Sequence, residues 1–383
     1  MKRVVPFLLL FTLGFGIAQY RMKAKNHTEG ALHELFPQAS RFEPLSNSVF
    51  RVYGSSQLIG YATLQKAVGY GGPILVMASY DTAGYIKDVR VLANSETPAF
   101  FQYVINKGFL ETLKGKKANE TFRLGEDLNA VTSATFTSRG IALAVRKGAH
   151  ELAANELKLP VEKERRRILS LTEWLVCALV IVTLVLHRFR WGHRLRPFVL
   201  AAAFFVIGVL QNSTLNLSNV AVLISGRIPS WNEMPSWLLL LFGVLAIITL
   251  TGVNLYCHWL CPFCGATQTL GKLGQFAGFN GKHSLRKREF AGIDIRLWLA
   301  WVALTLGFFA GNPGISVYEP FGTLFSFRGN MVQWTLMVFS LITAIVVDRF
   351  WCRFLCPMGA VWDLAASLRR KIKGIGQRYA TTK

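Results

Sequence analysis

The chain has 383 residues, 52% of them hydrophobic, and a formal net charge of +22. An ordinary soluble domain of this size is excluded, because that much apolar surface needs a second place to go. A nucleic-acid binder is excluded by where the charge lies. Arg188, Arg190, Arg194 and Arg196, then Lys282, Arg286, Lys287 and Arg288, then Arg369, Arg370, Lys371 and Lys373 each sit beside an apolar block, the positive-inside pattern of cytoplasmic loops.

The first apolar block, Val4–Ala18, comes after Lys2 and Arg3. Residues 1–20 read as a signal anchor, or as a signal peptide ending at Gly16-Ile17-Ala18, and either form exports the residues beyond it. Residues 40–160 differ from the rest of the chain and read as an α+β domain. Pro73–Ser79 and Tyr85–Leu92 are expected strands, with Asp81–Gly84 as their hairpin turn. Helices are expected over Phe100–Leu113, capped by Thr97, and Ser138–Leu157, capped by Thr137.

Residues 168–360 carry the apolar blocks Ile168–Leu186, Pro197–Leu210, Trp237–Tyr256, Leu297–Ala310 and Met331–Val347, most of them near the roughly 20 residues that span a bilayer. With the first block they predict an α-helical polytopic membrane domain of five or six transmembrane helices. Residues 361–383 form a basic cytoplasmic tail. Alternation from the N-terminus places the α+β domain outside, and only Lys163, Arg165, Arg166 and Arg167 run against the charge rule. Trp231, Trp237, Trp298, Trp301 and Trp334 fit an interfacial belt, and His187, His193 and His258 read as interfacial side chains rather than haem ligands.

Two segments carry chemistry. Asn129-Ala130-Val131-Thr132-Ser133-Ala134-Thr135-Phe136-Thr137-Ser138 is a small, hydroxyl-rich loop opening a helix; it suits an ordinary N-cap or a phosphate at a helix N-terminus. The second is a repeat. Tyr256-Cys257-His258-Trp259-Leu260-Cys261-Pro262 and Trp351-Cys352-Arg353-Phe354-Leu355-Cys356-Pro357 lie 95 positions apart, each followed by a Gly-Ala pair, and hold four of the six cysteines. Spacing by four puts two sulfurs on one helix face, and two such pairs supply the four thiolates of an iron–sulfur cluster or of structural zinc. Cys264 is an extra or alternative ligand; Cys177 is a packing residue.

The hydroxyl-rich loop resembles the flavinylation motif of FMN-binding domains in the sodium-pumping quinone reductase, the Rnf complex and the NosR/NirI proteins, and Gly69-Tyr70-Gly71-Gly72-Pro73-Ile74 and Glu96-Thr97-Pro98 resemble the same domain. The resemblance implies FMN joined to Thr135 by a phosphoester, with Thr132, Ser133, Ala134, Glu96 and Thr97 around it; Asn129 stands where the motif usually has Asp. The cysteine repeat is similar to the membrane domain of NosR, NirI and the NapH-type quinol dehydrogenases, which implies a cluster, [4Fe–4S] in preference to [2Fe–2S], on Cys257, Cys261, Cys352 and Cys356. Those proteins usually continue into a cysteine-rich ferredoxin segment, whereas this sequence stops about 27 residues after Cys356.

The expected function is electron transfer across a bacterial inner membrane, by an oxidoreductase component rather than a stand-alone enzyme. The donor is a quinol or a cytoplasmic reductant, the acceptor is extracytoplasmic, and the FMN domain faces the periplasm or the outside. The implied partners are the lipid bilayer and a flavin transferase, with no nucleic acid. The alternative is a membrane redox sensor using the same cofactors. Placing flavin and cluster at opposite faces leaves a hydrocarbon core of roughly 30 Å between them.

Overall fold

The computed structural model describes residues 11–19, 28–55, 57–132, 134–162, 168–189, 191–224, 229–279, 289–290 and 293–381. Of the first apolar block, 11–19 are helical; Lys2, Arg3, Ser133, Arg190 and the basic runs at 163–167 and 282–288 lie outside the described residues.

The N-terminal part is an antiparallel meander in which each strand pairs with the next: β1 Arg41–Pro44, β2 Val49–Tyr53, β3 Leu58–Val68, β4 Pro73–Tyr80 and β5 Ile86–Asn94, preceded by helix α1 Thr28–Leu35. β4 is buried at every position, which explains its continuous apolar run where a half-exposed strand would alternate. One of its faces packs Ile74, Val76 and Ala78 against Ile141, Val145 and Leu152 of helix α3, Thr135–Asn155. Its other face packs Met77 against Leu32 of α1 and Val52. The β4–β5 hairpin closes as the turn residues require: the Asp81 carboxylate accepts the amides of Ala83 and Tyr85, and Gly84 is left-handed.

Two helix expectations shift. Helix α2 runs from Pro98 to Asn106 after Thr97 and ends before the left-handed Gly108, well short of Leu113. α3 begins at Thr135 with Ala134 at the cap position, and the Thr137 hydroxyl donates to Glu96 instead of capping.

The rest of the chain is helical: α4 Leu171–Arg188, α5 Gly192–Ala203 continuing as a π-helix over Phe204–Leu210, α6 Leu217–Ile224, α7 Pro235–Thr251, α8 Pro262–Phe276, α9 Ile295–Phe309, α10 Phe321–Ser326, α11 Met331–Val346, α12 Phe350–Phe354 and α13 Pro357–Thr381. Two segments, Leu171–Arg188 and Gly192–Leu210, are long and apolar enough to cross a membrane; Pro235–Thr251, Ile295–Phe309 and Met331–Val346 are apolar but shorter. A core helix of a soluble protein would be covered, whereas only 33% and 28% of the two long windows is buried. Trp174, Ile181, Phe198, Phe205, Phe242, Leu250, Leu306 and Ile342 are all more than half exposed, and apolar exposure on this scale marks contact with lipid or protein.

Inside this shell the core is aromatic, built on Tyr256, Trp259, Phe263 and Trp351. Trp237, read from sequence as an interfacial residue, is buried in it. α8 crosses α11 in backbone contact: a Cβ on Gly274 would lie 2.0 Å from the Ile345 carbonyl oxygen. Such small-residue crossings set helix positions where no hydrophobic drive separates lipid from protein. Replacing Gly274 by Val should therefore destabilise the purified chain by about 3 kcal/mol, seen as an earlier thermal aggregation onset in detergent, while the exposed neighbour Gln275→Val stays close to wild type; equal onsets would contradict this packing.

Candidate cofactor sites

Thr135 is the first residue of α3 and is half-buried; Ala134 beside it is buried and Thr132 is exposed. Ser133, a further expected neighbour, lies outside the described residues. The loop is fixed from both ends. Ala134 N–H donates to the Val131 carbonyl at 3.0 Å, and Ser138 Oγ accepts from Val131 N–H while donating to the Ala134 carbonyl. Asp127 holds the preceding segment, accepting from the Thr121 hydroxyl and the amides of Phe122 and Arg123. The Thr135 hydroxyl thus stands at a helix N-terminus, where phosphate is favoured by the dipole and the first-turn amides.

Glu96 is fully buried, and its carboxylate accepts the amides of Gly71 at 2.9 Å and Gly72 at 3.3 Å and the hydroxyl of Thr137. It clips the 69–72 loop to the first turn of α3. Glycine at 71 is demanded by that approach, since a Cβ there would lie 2.7 Å from the Ser95 carbonyl oxygen. Thr97 is likewise buried, its hydroxyl without a partner among the described residues.

Burial pushes the Glu96 carboxyl up to about 7 from 4.5, against the hydrogen bonds that favour the anion. A carboxyl whose folded value is raised contributes its full stability below its unfolded value and loses it as the pH climbs through the folded one. Between about pH 5 and about pH 8 the wild type should lose up to about 3 kcal/mol that Glu96→Gln does not lose. Melting temperatures across that range test it; parallel curves for the two proteins would contradict the buried carboxyl's role.

The cysteine motifs depart from the helix-face reading. Residues 256–260 wind as a π turn, and the amide of Cys261 donates to the Tyr256 carbonyl at 2.8 Å. In the second motif the amide of Cys356 donates to the Trp351 carbonyl at 2.9 Å after the short α12. Each chain then turns at the cysteine, and Pro262 and Pro357 open the next helix. Proline suits the first helical position and forces the residue before it away from the helical region; Cys261 is accordingly extended. Cys261 and Cys356 therefore head α8 and α13, where amides and dipole stabilise a thiolate. Gly359 N–H points at Cys356 Sγ at 3.3 Å. Counted from the Cys-Pro junction, Gly359 matches Cys264, so the two Gly-Ala pairs are one position out of register.

Cys257, Cys261, Cys264, Cys352 and Cys356 all line one cavity of about 230 Å³, and Cys264 is within hydrogen-bond reach of Cys352. All are free thiols. Arg296, Arg349 and Arg353 line the same cavity.

Sequence reasoning missed the residues that hold the two motifs together. Buried Arg296 donates to the Cys352 carbonyl at 2.9 Å and to Asp294 and Asp363. Asp363 also accepts from Asn254, which accepts the amide of Cys257. One signal is present in the sequence: Asp363 is the lone acid in the otherwise basic α13.

The motifs lie within the helical bundle rather than at its rim. The loop between α9 and α11 folds inward, and the Tyr318 hydroxyl donates to the Leu355 carbonyl at 2.8 Å, beside Cys356. Its neighbour Glu319 is buried and accepts the amide of Leu217 at 2.9 Å. The α+β part sits on this loop and on the segment before α6. Asn312 reaches the Glu96 carbonyl, Arg328 stacks on Tyr103 at 4.0 Å, Lys147 pairs with Glu233, and Asn216 donates to the Tyr70 hydroxyl at 3.4 Å.

Similarity to known proteins divides the chain at the same place. Residues 69–150 match the FMN-binding domain, and residues 233–279 and 334–376, one cysteine motif in each, match the 4Fe-4S binding domain. The chain is similar to proteins of the NosR/NirI type. It is 27% identical to the protein NirI of Paracoccus denitrificans over 46% of this chain and 27% of that protein. Identity to the regulatory protein NosR of Pseudomonas aeruginosa is 26%, over 63% of this chain and 36% of that protein. A subunit of the ion-translocating oxidoreductase complex of Methanosarcina acetivorans is 24% identical over 41% of this chain and 91% of its own length. The chain thus spans about a quarter to a third of the length of these first two relatives.

Proposed function

We propose that the chain is a multi-pass bacterial inner-membrane electron carrier that links FMN on Thr135, in an extracytoplasmic domain, to a [4Fe–4S] cluster on Cys257, Cys261, Cys352 and Cys356. When bound, FMN exchanges electrons singly or in pairs and an iron–sulfur cluster exchanges them singly, which lets one chain join partners of both kinds. The protein's share is position and field. Thr135 fixes the flavin covalently at a helix N-terminus, so it is not lost to the outside volume. Arg296, Arg349 and Arg353, with the amide of Gly359, offset the thiolate charge, and Trp259, Phe263 and Trp351 keep water out.

One observation carries the reading: a chain of direct contacts runs between the two sites. Phe136, next to Thr135, lies 6.2 Å ring to ring from Tyr70. The Tyr70 hydroxyl meets Asn216, and the adjacent Leu215 N–H donates at 3.1 Å to the hydroxyl of Tyr256, the neighbour of Cys257. On this reading the flavin and the cluster are linked through protein contacts. The three shorter apolar helices complete a bundle of five spans on this reading, with Arg188–Arg196 and the α13 tail inside. A quinol or cytoplasmic reductant supplies electrons, and an acceptor outside removes them. The name of the NosR relatives favours a second reading, in which the same two centres report the redox state of the membrane to a regulatory partner.

The cofactor claims are tested together in chain co-expressed with a flavin transferase and purified without oxygen. Wild type should give a band fluorescent under ultraviolet light after denaturing electrophoresis and close to four irons per chain; Thr135→Ala should lose the fluorescence and keep the iron. Cys261→Ser and Cys356→Ser should each lose most of the iron and keep the fluorescence, while Cys264→Ser retains at least half of it. Fluorescence that survives Thr135→Ala, or zinc in place of iron, would refute the assignment.

A further inference from the structure

Cys257, Cys261, Cys264, Cys352 and Cys356 all line the cysteine cavity, whereas a four-iron cluster takes one thiolate on each of its irons. One thiol is surplus. The contact between Cys264 and Cys352, which are within hydrogen-bond reach of each other, brings those two sulfurs to the same side of the cavity. Thiols that close compete for one iron.

Cys264 is placed as a ligand would be. It is 1% exposed, stands in the first turn of α8 and follows Cys261 by three positions, the Cys-x-x-Cys spacing used by ferredoxin ligands. The turn that carries it is fixed. Gly265 N–H donates to the Cys261 carbonyl at 3.1 Å, the Thr267 hydroxyl donates to the Cys264 carbonyl at 3.2 Å, and a Cβ on Gly265 would lie 3.4 Å from the Leu200 carbonyl oxygen. Cys352 reaches the same place from the other half of the repeat. It is half-buried on the five-residue α12, which is entered through the left-handed Arg349, and its carbonyl accepts from Arg296.

The two halves of the repeat are unequal in this respect. Gly359 stands in the second motif where Cys264 stands in the first, and it offers Cys356 an amide at 3.3 Å instead of a thiol. The spare sulfur belongs to α8 alone.

We propose that Cys264 and Cys352 are alternative ligands to one and the same iron, so that this position of the cluster passes from α12 to α8 without loss of metal. The exchange is a substitution at unchanged oxidation state. The iron–sulfur bond to Cys264 forms, the bond to Cys352 breaks, and the proton of the incoming thiol passes to the departing Cys352 thiolate, its hydrogen-bond partner. The inference rests on the cluster reading above and adds a fifth ligand to it.

The test uses the full chain purified without oxygen, with iron and acid-labile sulfide counted per chain. Cys352→Ala leaves no ligand at that position, so the iron it keeps reports on Cys264. Cys352→Ala and Cys264→Ala should each retain at least half of the wild-type iron, while the double variant should retain less than a tenth. Cys352→Ser, closer to cysteine in volume, guards against a packing effect, and its iron should likewise disappear when Cys264→Ala is added. Loss of iron from Cys352→Ala and Cys352→Ser alike, or iron in either of them that survives the removal of Cys264, would overturn the proposal. Wild type that holds no iron would sink the cluster reading itself; wild type with close to four irons and either of those results would sink this inference alone.

Discussion

Proline cannot follow a residue in helical conformation without a clash, and both cysteine motifs end on that restriction. Each stretch of helix is stopped at Cys261 or Cys356, and a new helix starts at Pro262 or Pro357. With the breaks in place, the cysteines of both halves of the repeat line one cavity. The buried cation Arg296 then needs partners, and Asp294, Asp363 and the Cys352 carbonyl supply them. A buried charge pair seldom adds much net stability, but removing one member is costly. Arg296 and Asp363 therefore act here to fix the relative position of the two motifs.

The same need for polar partners governs the junction between the α+β part and the helices. Glu96 engages Gly71, Gly72 and Thr137 through its side chain and Asn312 through its backbone carbonyl. The loop that shapes the Thr135 site is thus also part of the docking surface. Tyr70 lies in that loop, with Phe100 and Phe136 on its ring and Asn216 on its hydroxyl. The segment from Asn312 to Phe327 turns inward, because Tyr318 and Glu319 find acceptor and donor there.

Much of this is legible in the residues alone. The central hairpin follows from Asp81 and Gly84, and the start of α2 follows from Thr97-Pro98. The five apolar helices follow from their runs, although only two of them reach full spanning length. The paired cysteines follow from the repeat. Strands β1 and β2 are not legible, because Arg41–Pro44 and Val49–Tyr53 are short and part-exposed and lack a clean alternation. Spacing of cysteines by four reads as one helix face, whereas proline makes it a helix break. Thr137 reads as a cap because hydroxyls favour helix starts, yet the buried carboxylate of Glu96 is the stronger acceptor. Long-range partners such as Asn254, Arg296 and Asp363 leave almost no local trace, since their roles depend on segments up to 109 positions apart.

Communication between the two sites through the docked interface is the property on which the proposed electron transfer depends. The direct measurement is anaerobic photoreduction of the flavin in the purified chain, with the iron–sulfur absorbance followed in time, in wild type and in a variant carrying Lys147→Ala and Arg328→Ala to loosen the docking. Iron–sulfur absorbance should bleach after the flavin in wild type and at least tenfold more slowly in the variant. A reduced flavin beside iron–sulfur absorbance that never changes would contradict communication between the sites.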